Sequence, residues 1–199
     1  MLIVQNELGS RANDCSLGIL VMEGLQNICG QDNLAPARQN LINTIREQYK
    51  DATRADLKAL APMAPYICYY KDFGYTYHVL PQLESIIKGK EIPDGLPPVE
   101  AMFMAELKNM LLTAGHDIDK LEEPIRLVSS TGQESYITLS GREVSTIPGD
   151  IMIADRQGVI SSILRGPDQR TAITADTKQV VYMTYALNGV GQELVSTFK

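Results

Sequence analysis

The chain has 199 residues, with 18 Lys and Arg against 24 Asp and Glu, a formal net charge of -6 and a hydrophobic share of 44%. This composition excludes a disordered chain, because it supplies enough apolar surface to build a core. The acidic balance also excludes binding of nucleic acid through bulk charge, since phosphate contacts need clustered cations. A nucleic-acid function must therefore depend on particular residues.

Cysteine use and hydropathy indicate the cellular setting. Cys15, Cys29 and Cys68 form no CxxC pair, which argues against a disulfide framework and a zinc knuckle. No apolar stretch approaches the ~18 residues that a membrane span needs, and the N-terminus lacks the basic region and cleavage site of a secretory signal. The sequence has only two histidines, which argues against a multi-histidine metal centre. We therefore expect a cytoplasmic protein with no membrane partner, no metal and no cofactor.

The first half of the chain is predicted to be mostly helical. Apolar runs at Leu2 to Val4 and Leu17 to Met22 predict two strands before the helices. Helical spacing of apolar residues then predicts four helices, which begin at Pro36, Arg54, Leu80 and Val99. Between the second and third helices, the aromatic run Tyr66 to Tyr70 predicts a strand.

After Pro124 the apolar period changes to two, which predicts a run of strands. The predicted strands are Ile125 to Val128, Ser135 to Leu139, Ile151 to Ala154, Val159 to Leu164 and Val180 to Ala186. Ser140-Gly141 and Asp155 to Gly158 are typical of hairpin loops, and Val190, Leu194 and Phe198 predict a closing helix. We therefore predict an α+β fold, a mostly antiparallel sheet with flanking helices, in a single domain over 1–199.

Common enzyme signatures are missing, since the sequence has no GxSxG, Walker loop, HExxH or dinucleotide fingerprint. Reactive side chains concentrate in three segments, the first of which is Thr113 to Lys120. Gly115 could end the preceding helix, and His116 beside Asp117 could act as a base. The alternative is a turn in which His116 is solvated.

The other two segments are Gly149 to Asp155 and Leu164 to Thr177. Acids flank a strand in the former, which favours structural capping. The latter combines Arg, Asp and Thr residues that suit an ester carbonyl, a carboxylate or a phosphate, although a solvated hairpin loop would tolerate them too. Five tyrosines could stack on bases, or could be half-buried strand aromatics. They are Tyr66, Tyr69, Tyr70, Tyr75 and Tyr77.

The order of several motifs resembles a known family. The motifs are Leu96 to Ala101, His116 to Leu121, Gly149 to Asp155, Arg170 to Thr177 and the step Tyr70-Lys71-Asp72-Phe73-Gly74. They resemble the B-three/B-four (tRNA-binding and editing) domain of the phenylalanyl-tRNA synthetase beta subunit and its free-standing relatives, over about residues 66–186. The resemblance implies an α+β fold with a cleft that removes wrongly attached tyrosine from tRNA. For the free-standing relatives it implies tRNA binding or editing in trans.

The sequence departs from the family at its polar site positions. The family His falls on Ala114, and His116 is displaced by two residues. The family acid falls on Gln169, beside Asp168, and the Asn that free-standing relatives often carry falls on Phe103. The synthetase mechanism therefore does not transfer unchanged to this chain.

Two functions of different classes follow from the resemblance. The first is an aminoacyl-tRNA deacylase, an ester hydrolase acting in trans, in which the catalytic residue His116 or Asp168 positions water. The second is a non-catalytic module that binds tRNA or a free amino acid, and a metabolic enzyme on the same scaffold is a third alternative. The predicted substrate-binding residues are Gly149, Arg165, Gln169, Arg170, Thr171 and Thr174. We expect contact with the acceptor end of tRNA through Lys71, Lys88 and Lys90, and no binding of DNA.

Overall fold

The computed structural model describes residues 2–25 and 33–190, which divide into two compact units. The sheet unit contains residues 2–25 and 112–188 and holds every strand that is described. The helical unit contains residues 33–111 and 189–190 and holds the described α-helices. Strands and helices thus occupy separate parts of the chain, which confirms the predicted α+β class. The expectation of a single domain over 1–199 stays a prediction.

The helical unit has five described helices, four of them in segments where the sequence predicts helix. They are α1 (Ala35–Tyr49), α2 (Arg54–Ala59), α3 (Ala64–Asp72), α4 (Val79–Ile87) and α5 (Pro97–Asn109). A capping box begins α2, where the Asp56 N–H donates to the Thr53 hydroxyl and the Thr53 N–H donates to the Asp56 carboxylate. Met110, in the left-handed region with φ 59°, ends α5, so the expectation that Gly115 ends this helix is wrong.

Tyr66 to Tyr70 lies within α3, so the predicted strand is wrong. Pro65 lies in the first turn of the helix, where its missing N–H does least harm. Tyr66 and Tyr70 are one turn apart and pack against Tyr77, with ring centroids at 4.7 and 5.2 Å. This packing outweighs the local strand preference of aromatic residues. All three rings are buried and none is a platform for bases, whereas Tyr75 is exposed.

The sheet unit has ten described strands in three sheets. The strands are β1 (Val4–Asn6), β2 (Cys15–Met22), β3 (Thr113–Asp117), β4 (Ile125–Ser129), β5 (Ser135–Ile137), β6 (Glu143–Ser145), β7 (Ile151–Ala154), β8 (Val159–Ser162), β9 (Gly166–Pro167) and β10 (Val180–Leu187). The sheets have the orders β1-β4-β7-β8-β9, β2-β10-β3 and β5-β6. Only the β1–β4 pair is parallel among the described strands, so the pairing is mostly antiparallel, as predicted.

The two faces of the five-stranded sheet differ in what covers them. Ile125 and Leu127 of β4 and Ile151 and Ile153 of β7 point to one face and are almost fully buried. The opposite face carries the alternate residues, because successive side chains of a strand point to opposite sides. On that face the hairpin β5–β6 contributes Tyr136 to a cluster with partners from β7 and β8. The hairpin therefore bounds a groove on the second face of the sheet.

β3 is a strand that the sequence analysis did not find. It pairs antiparallel with the fully buried β10, and His116 lies opposite Val181 in the register. Thr113 and His116 are themselves buried, so the alternative of a solvated His116 in a turn is wrong. The polar side chains of β3 are accommodated by hydrogen bonds, such as the 2.9 Å contact of the Thr113 and Thr184 hydroxyls.

Two predictions fall partly outside the described residues. The closing helix over 190–198 lies beyond them except for Val190, and Cys29 lies in the gap between the two described ranges. Cys15 and Cys68 are free thiols. Within residues 2–25 and 33–190, no helix combines the length and the apolar character needed to cross a membrane.

Candidate functional site

Two adjoining cavities of about 320 and 350 Å³ lie in the sheet unit beside the hairpin β5–β6. Both are lined by Ser135, Gly158 and Val159, and the two cavities together are called the groove. The larger cavity is also lined by Met152 and Arg126 from β7 and β4. The groove therefore has an apolar floor with charged groups at its edges, which is the usual composition of a ligand site.

The loop after β9 forms the polar rim of the smaller cavity, which Asp168, Gln169 and Arg170 line. The Gln169 N–H donates to the Ile137 carbonyl at 2.8 Å, which fixes this loop to β5. The Tyr136 hydroxyl, on β5, donates to the main-chain carbonyl of Gly166, on β9, at 2.6 Å. The hairpin and the loop are thus held together by hydrogen bonds within the protein.

A buried hydrogen-bond chain leads inward from this rim. The Thr171 hydroxyl donates to Asp168 Oδ1, and the Thr171 main-chain N–H donates to the same oxygen at 3.2 Å. His116 Nδ1 lies 2.7 Å from the Thr171 hydroxyl oxygen. Because the hydroxyl proton is already donated to Asp168, the hydroxyl accepts from an Nδ1–H of His116. The chain thus connects Asp168, at the groove, to an imidazole that lines neither cavity.

Burial sets the charge states along this chain. Desolvation, assisted by the positive charge of Arg170, lowers the pKa of His116 to about 4, so the ring is neutral at neutral pH. Its Nε2 is buried and has no hydrogen-bond partner among the described residues. Burial also raises the pKa of Asp168 and outweighs the hydrogen bond from Thr171. The neutral, buried imidazole therefore holds Thr171, and through it Asp168, in position. It does not contact the groove itself.

A second network fastens the loop of residues 168–177 to β3. The Thr177 hydroxyl donates to Asp117 Oδ2 at 2.7 Å, and the Asp117 N–H donates to the Thr171 carbonyl at 2.9 Å. Lys120 lies 3.4 Å from Asp117 Oδ2 and donates to the Ala172 carbonyl at 2.7 Å. The two most polar motifs of the sequence therefore bind mainly to each other and form the frame of the site.

Asp155 joins this frame to the groove. Its carboxylate is fully buried and accepts from the main-chain N–H groups of Gln157 and Gly158 at 2.9 and 3.1 Å, which confirms a capping role for this acid. The same oxygen accepts from Arg170 Nη2 at 2.9 Å. The Asp155 main-chain carbonyl accepts from Arg126 Nη2 at 3.1 Å. One residue thus positions two guanidinium groups, each of which lines one of the two cavities.

Arg170 makes several contacts within the protein that the sequence analysis did not predict. Besides Asp155, it donates to the Lys120 carbonyl at 2.9 Å, and its Nε lies 3.6 Å from Asp168 Oδ2. Its side chain is 31% exposed, so one edge still reaches the cavity. Arg170 is therefore an anchor of the frame as well as a lining residue.

The other predicted site residues lie in different places. Gly149 and Arg165 line neither cavity, and the Gly149 carbonyl accepts from Arg11 Nη1 at 2.7 Å. Thr174 is exposed and its N–H donates to the Thr177 hydroxyl at 2.9 Å. The remaining predicted contacts, Lys71, Lys88 and Lys90, are exposed in the helical unit. The structure thus brings Gln169, Arg170, Thr171, His116 and Asp168 together and leaves the rest apart.

Several groove residues were not singled out in the sequence, and four of them are central to the argument below. They are Arg126, Tyr136, Met152 and Val159. The signal that they share is that each lies in a predicted strand. Within residues 2–25 and 33–190, no group of three or more His, Cys, Asp or Glu side chains is placed to hold a metal ion.

Residues 102–191 match the family model described as B3/4 domain. Every residue that lines the two cavities lies within this matched region. The chain contains a B3/4-like domain. This confirms the resemblance stated above, and places the groove inside the B3/4-like domain.

Two proteins with known names are similar to this chain. The phenylalanine–tRNA ligase beta subunit of Mycoplasma pneumoniae (strain ATCC 29342 / M129 / Subtype 1) is 30% identical over 67 residues, which are 34% of this chain and 8% of that protein. An N-terminal fragment of the phenylalanyl-tRNA synthetase beta subunit from Pyrococcus horikoshii is 12% identical with a TM-score of 0.48, over 99% of this chain and 47% of that one. The chain thus spans less than half the length of either relative.

The positions at which the resemblance stated above expects the family's His, acid and Asn lie in different surroundings. Ala114, where the family His falls, is buried in β3. Gln169, where the family acid falls, is exposed and lines the smaller cavity. Phe103 lies on α5 in the helical unit. The groove therefore keeps a polar amide at the rim, and the neighbouring acid, Asp168, lines the same cavity.

Proposed function

We propose that the sheet unit binds the aminoacyl end of a tRNA in the groove between the hairpin β5–β6 and the five-stranded sheet. The observation that carries the proposal is the position of the groove within the B3/4-like domain, with Gln169 and Arg170 on its rim. The beta-subunit relative is named as a tRNA ligase, which supports a tRNA-derived ligand for this chain. The proposal includes the cytoplasmic location expected from the sequence.

The chemistry of the groove suits an amino acid attached to RNA. Val159 and Met152 provide an apolar surface for the amino-acid side chain, and burial of such a side chain contributes about 1.5–3 kcal/mol. The exposed Gln169 amide can donate and accept, as recognition of an ester and a ribose hydroxyl requires. The net charge of -6 favours contact with the acceptor end alone and disfavours a large electrostatic footprint.

Binding without catalysis is the function that the geometry supports best. His116 is fully buried and its Nδ1 is already used, so it has no open path to a water molecule at the groove. The resemblance places the family His at Ala114 and the family acid at Gln169, and neither of these side chains can act as a base. A general base must lie within hydrogen-bond reach of the proton that it abstracts. Recognition of the ligand requires no such base.

Hydrolysis of a mischarged aminoacyl-tRNA is the second candidate, and one observation favours it. Asp168 lines the smaller cavity and has a raised pKa, as a carboxylate that accepts a proton from water would need. Its Oδ1 is saturated by Thr171, so Oδ2, 3.6 Å from Arg170 Nε, would be the reactive oxygen. In this candidate His116 and Thr171 hold the carboxylate in place.

The binding proposal is tested with an RNA hairpin that ends in CCA and carries phenylalanine through a stable 3′-amide. We expect the protein to bind the charged hairpin at least about tenfold more tightly than the uncharged one, because only the charged RNA fills the apolar floor. Equal affinity for the two RNAs would show that the aminoacyl group is not recognised. The alternative of a free amino acid as ligand is tested by calorimetry with the amino acids alone.

The hydrolysis candidate is tested with a panel of mischarged tRNAs. Turnover of one ester that is lost in Asp168→Asn and kept in Asp176→Asn would establish a deacylase. Asp176 is a matched control because it is exposed and lines neither cavity. Absence of turnover across the panel, with binding of the amide-linked hairpin retained, would leave the binding function alone.

A further inference from the structure

We propose that Arg126 is the anion-binding residue of the groove, and that it takes one oxyanion of the ligand, a phosphodiester or a carboxylate. The inference deepens the proposed function, and it rests on that function for the identity of the RNA ligand. Arg126 lies in β4 opposite Ala154 of β7, on the face of the sheet that floors the groove. Nothing in the motif pattern singles it out.

The donors of Arg126 are mostly unused. Its Nη2 donates to the Asp155 main-chain carbonyl at 3.1 Å, and among the described residues its other N–H groups have no hydrogen-bond partner. No carboxylate among the described residues forms an ion pair with Arg126. Arg170, in contrast, donates to Lys120 and Asp155 and lies beside Asp168. Arg126 is therefore the guanidinium with capacity for a ligand, and Arg170 is the one used by the frame.

The position of Arg126 is fixed before any ligand binds. Asp155, which holds its Nη2, is itself held by the main-chain N–H groups of Glu122, Gln157 and Gly158. A guanidinium that is already oriented loses less side-chain entropy when it binds an oxyanion. Apolar neighbours such as Val128 and Met152 lower the local dielectric and strengthen a charge-assisted hydrogen bond. These features distinguish Arg126 from an ordinary surface arginine.

One carboxylate, Glu134, lines the same cavity, but its hydrogen-bonding capacity is already used. It accepts from the main-chain N–H groups of Thr131 and Gly132 and from the hydroxyls of Ser130, Thr131 and Thr146. Although burial opposes ionisation, the hydrogen bonds from Thr146 and Thr131 lower the pKa of Glu134. Glu134 therefore stabilises the turn before β5 and does not serve as the counter-ion of Arg126.

The first test uses inorganic phosphate and acetate as probes and needs no RNA. In the wild-type protein labelled at arginine nitrogen, we expect saturable shifts of the Arg126 side-chain N–H resonances on titration with either anion. We expect the resonances of Arg142 to stay in place. Arg142 is a matched control, because it is exposed at the hairpin β5–β6 and lines neither cavity.

The second test assigns the source of the oxyanion. Arg126→Gln and Arg142→Gln are compared for binding of the amide-linked RNA hairpin and for binding of free phenylalanine against phenylalaninamide. A loss of about tenfold or more for the RNA in Arg126→Gln alone indicates a phosphodiester. Loss of free phenylalanine alone, with no binding of the amide by the wild type, indicates a carboxylate.

The outcomes separate this inference from the function on which it rests. Anion-dependent shifts at Arg126 in a protein that binds no RNA and no amino acid would refute the proposed function and support the anion site. Binding of a ligand that is equally tight in Arg126→Gln and Arg142→Gln would overturn the anion site and leave the function standing. Absence of any shift at Arg126 with both anions would also overturn it.

Discussion

His116 Nδ1 lies 2.7 Å from the hydroxyl oxygen of Thr171, and both side chains are fully buried. The contact is one of several hydrogen bonds that join β3 to the loop that borders the groove, so it contributes both to the stability of the fold and to the shape of the site. It also places the proton of the neutral imidazole on Nδ1. Two predictions follow from the chemistry of this pair.

The first prediction concerns pH and His116. The pKa of His116 is about 4 in the folded protein against 6.5 for the free side chain, because burial disfavours the charged ring. Between pH 4 and pH 6.5, His116 of the unfolded chain binds a proton and His116 of the folded protein does not. The contribution of this group to the free energy of unfolding is therefore fully present above pH 6.5 and decreases as the pH falls toward 4. The loss from neutral pH to about pH 4 amounts to about 3 kcal/mol.

This prediction is checked by urea unfolding of the wild type and His116→Gln across that pH range. We expect the free energy of unfolding of the wild type to fall more steeply with acid than that of the variant. The raised pKa of Asp168 acts in the opposite direction and is present in both proteins, so the difference isolates His116. Parallel curves for the two proteins would contradict the buried, neutral imidazole.

The second prediction concerns the hydroxyl of Thr171. Thr171→Val keeps the volume of the side chain but leaves Asp168 and the His116 Nδ1–H each without one partner. Buried groups that lose a partner cost about 1–3 kcal/mol, so we expect a loss of that size in the free energy of unfolding. Thr76→Val, at an exposed position in the helical unit, is the control and should cost less than about 0.5 kcal/mol. Similar losses in the two variants would show that the chain contributes nothing.

The third prediction concerns the helical unit, where two ion pairs differ in burial. Glu100 pairs with Arg38 and its side chain is 4% exposed, whereas Glu91 pairs with Arg46 and its side chain is 60% exposed. Removal of one member of a buried pair costs about 3–5 kcal/mol, and removal of an exposed pair costs at most about 1 kcal/mol. We therefore expect Glu100→Ala to lower the melting temperature far more than Glu91→Ala, as measured by calorimetry. Equal melting temperatures would contradict the burial of the first pair.

The fourth prediction concerns the lysines expected to contact tRNA. Lys88 and Lys90 are exposed after α4, and reversal of their charges should weaken binding of tRNA and reduce its dependence on salt. The double variant Lys58→Glu, Lys108→Glu, at exposed positions of α2 and α5, is the control of equal charge change. Affinity that is unchanged in the double variant Lys88→Glu, Lys90→Glu would remove these residues from the contact surface.

Strand and helix periodicity predicted most elements where their apolar pattern was regular. β7 has the same bounds in the sequence prediction and in the structure, because all four of its residues are apolar and a turn follows at Asp155. β3 was missed because Thr113 to Asp117 has no apolar alternation, and only its buried hydrogen-bond partners explain its position. α3 was mistaken for a strand because packing on Tyr77 overrides the local preference of Tyr66 and Tyr70.

The sequence motifs predicted which segments form the candidate site. They did not predict which of its residues stabilise the fold and which ones face the groove. Motif reasoning found His116, Asp168 and Arg170, and the structure shows these residues bonded within the protein. Arg126 has the sequence signature of an ordinary outward-facing residue between Ile125 and Leu127. Arg126 is part of a groove only because the hairpin β5–β6 lies beside this face of the sheet. The position of the hairpin depends on contacts between distant parts of the sequence, which local periodicity does not predict.

Filling the groove of the sheet unit tests most directly the proposal that this groove holds the aminoacyl end of tRNA. Gln169→Trp places a large side chain at the rim of the smaller cavity, and its backbone contact with Ile137 is unaffected. Gln133→Trp makes the same change at an exposed residue that lines neither cavity. We expect the affinity for the amide-linked hairpin to fall at least about tenfold in Gln169→Trp and to stay within about twofold in Gln133→Trp. Wild-type affinity in both variants would contradict the claim.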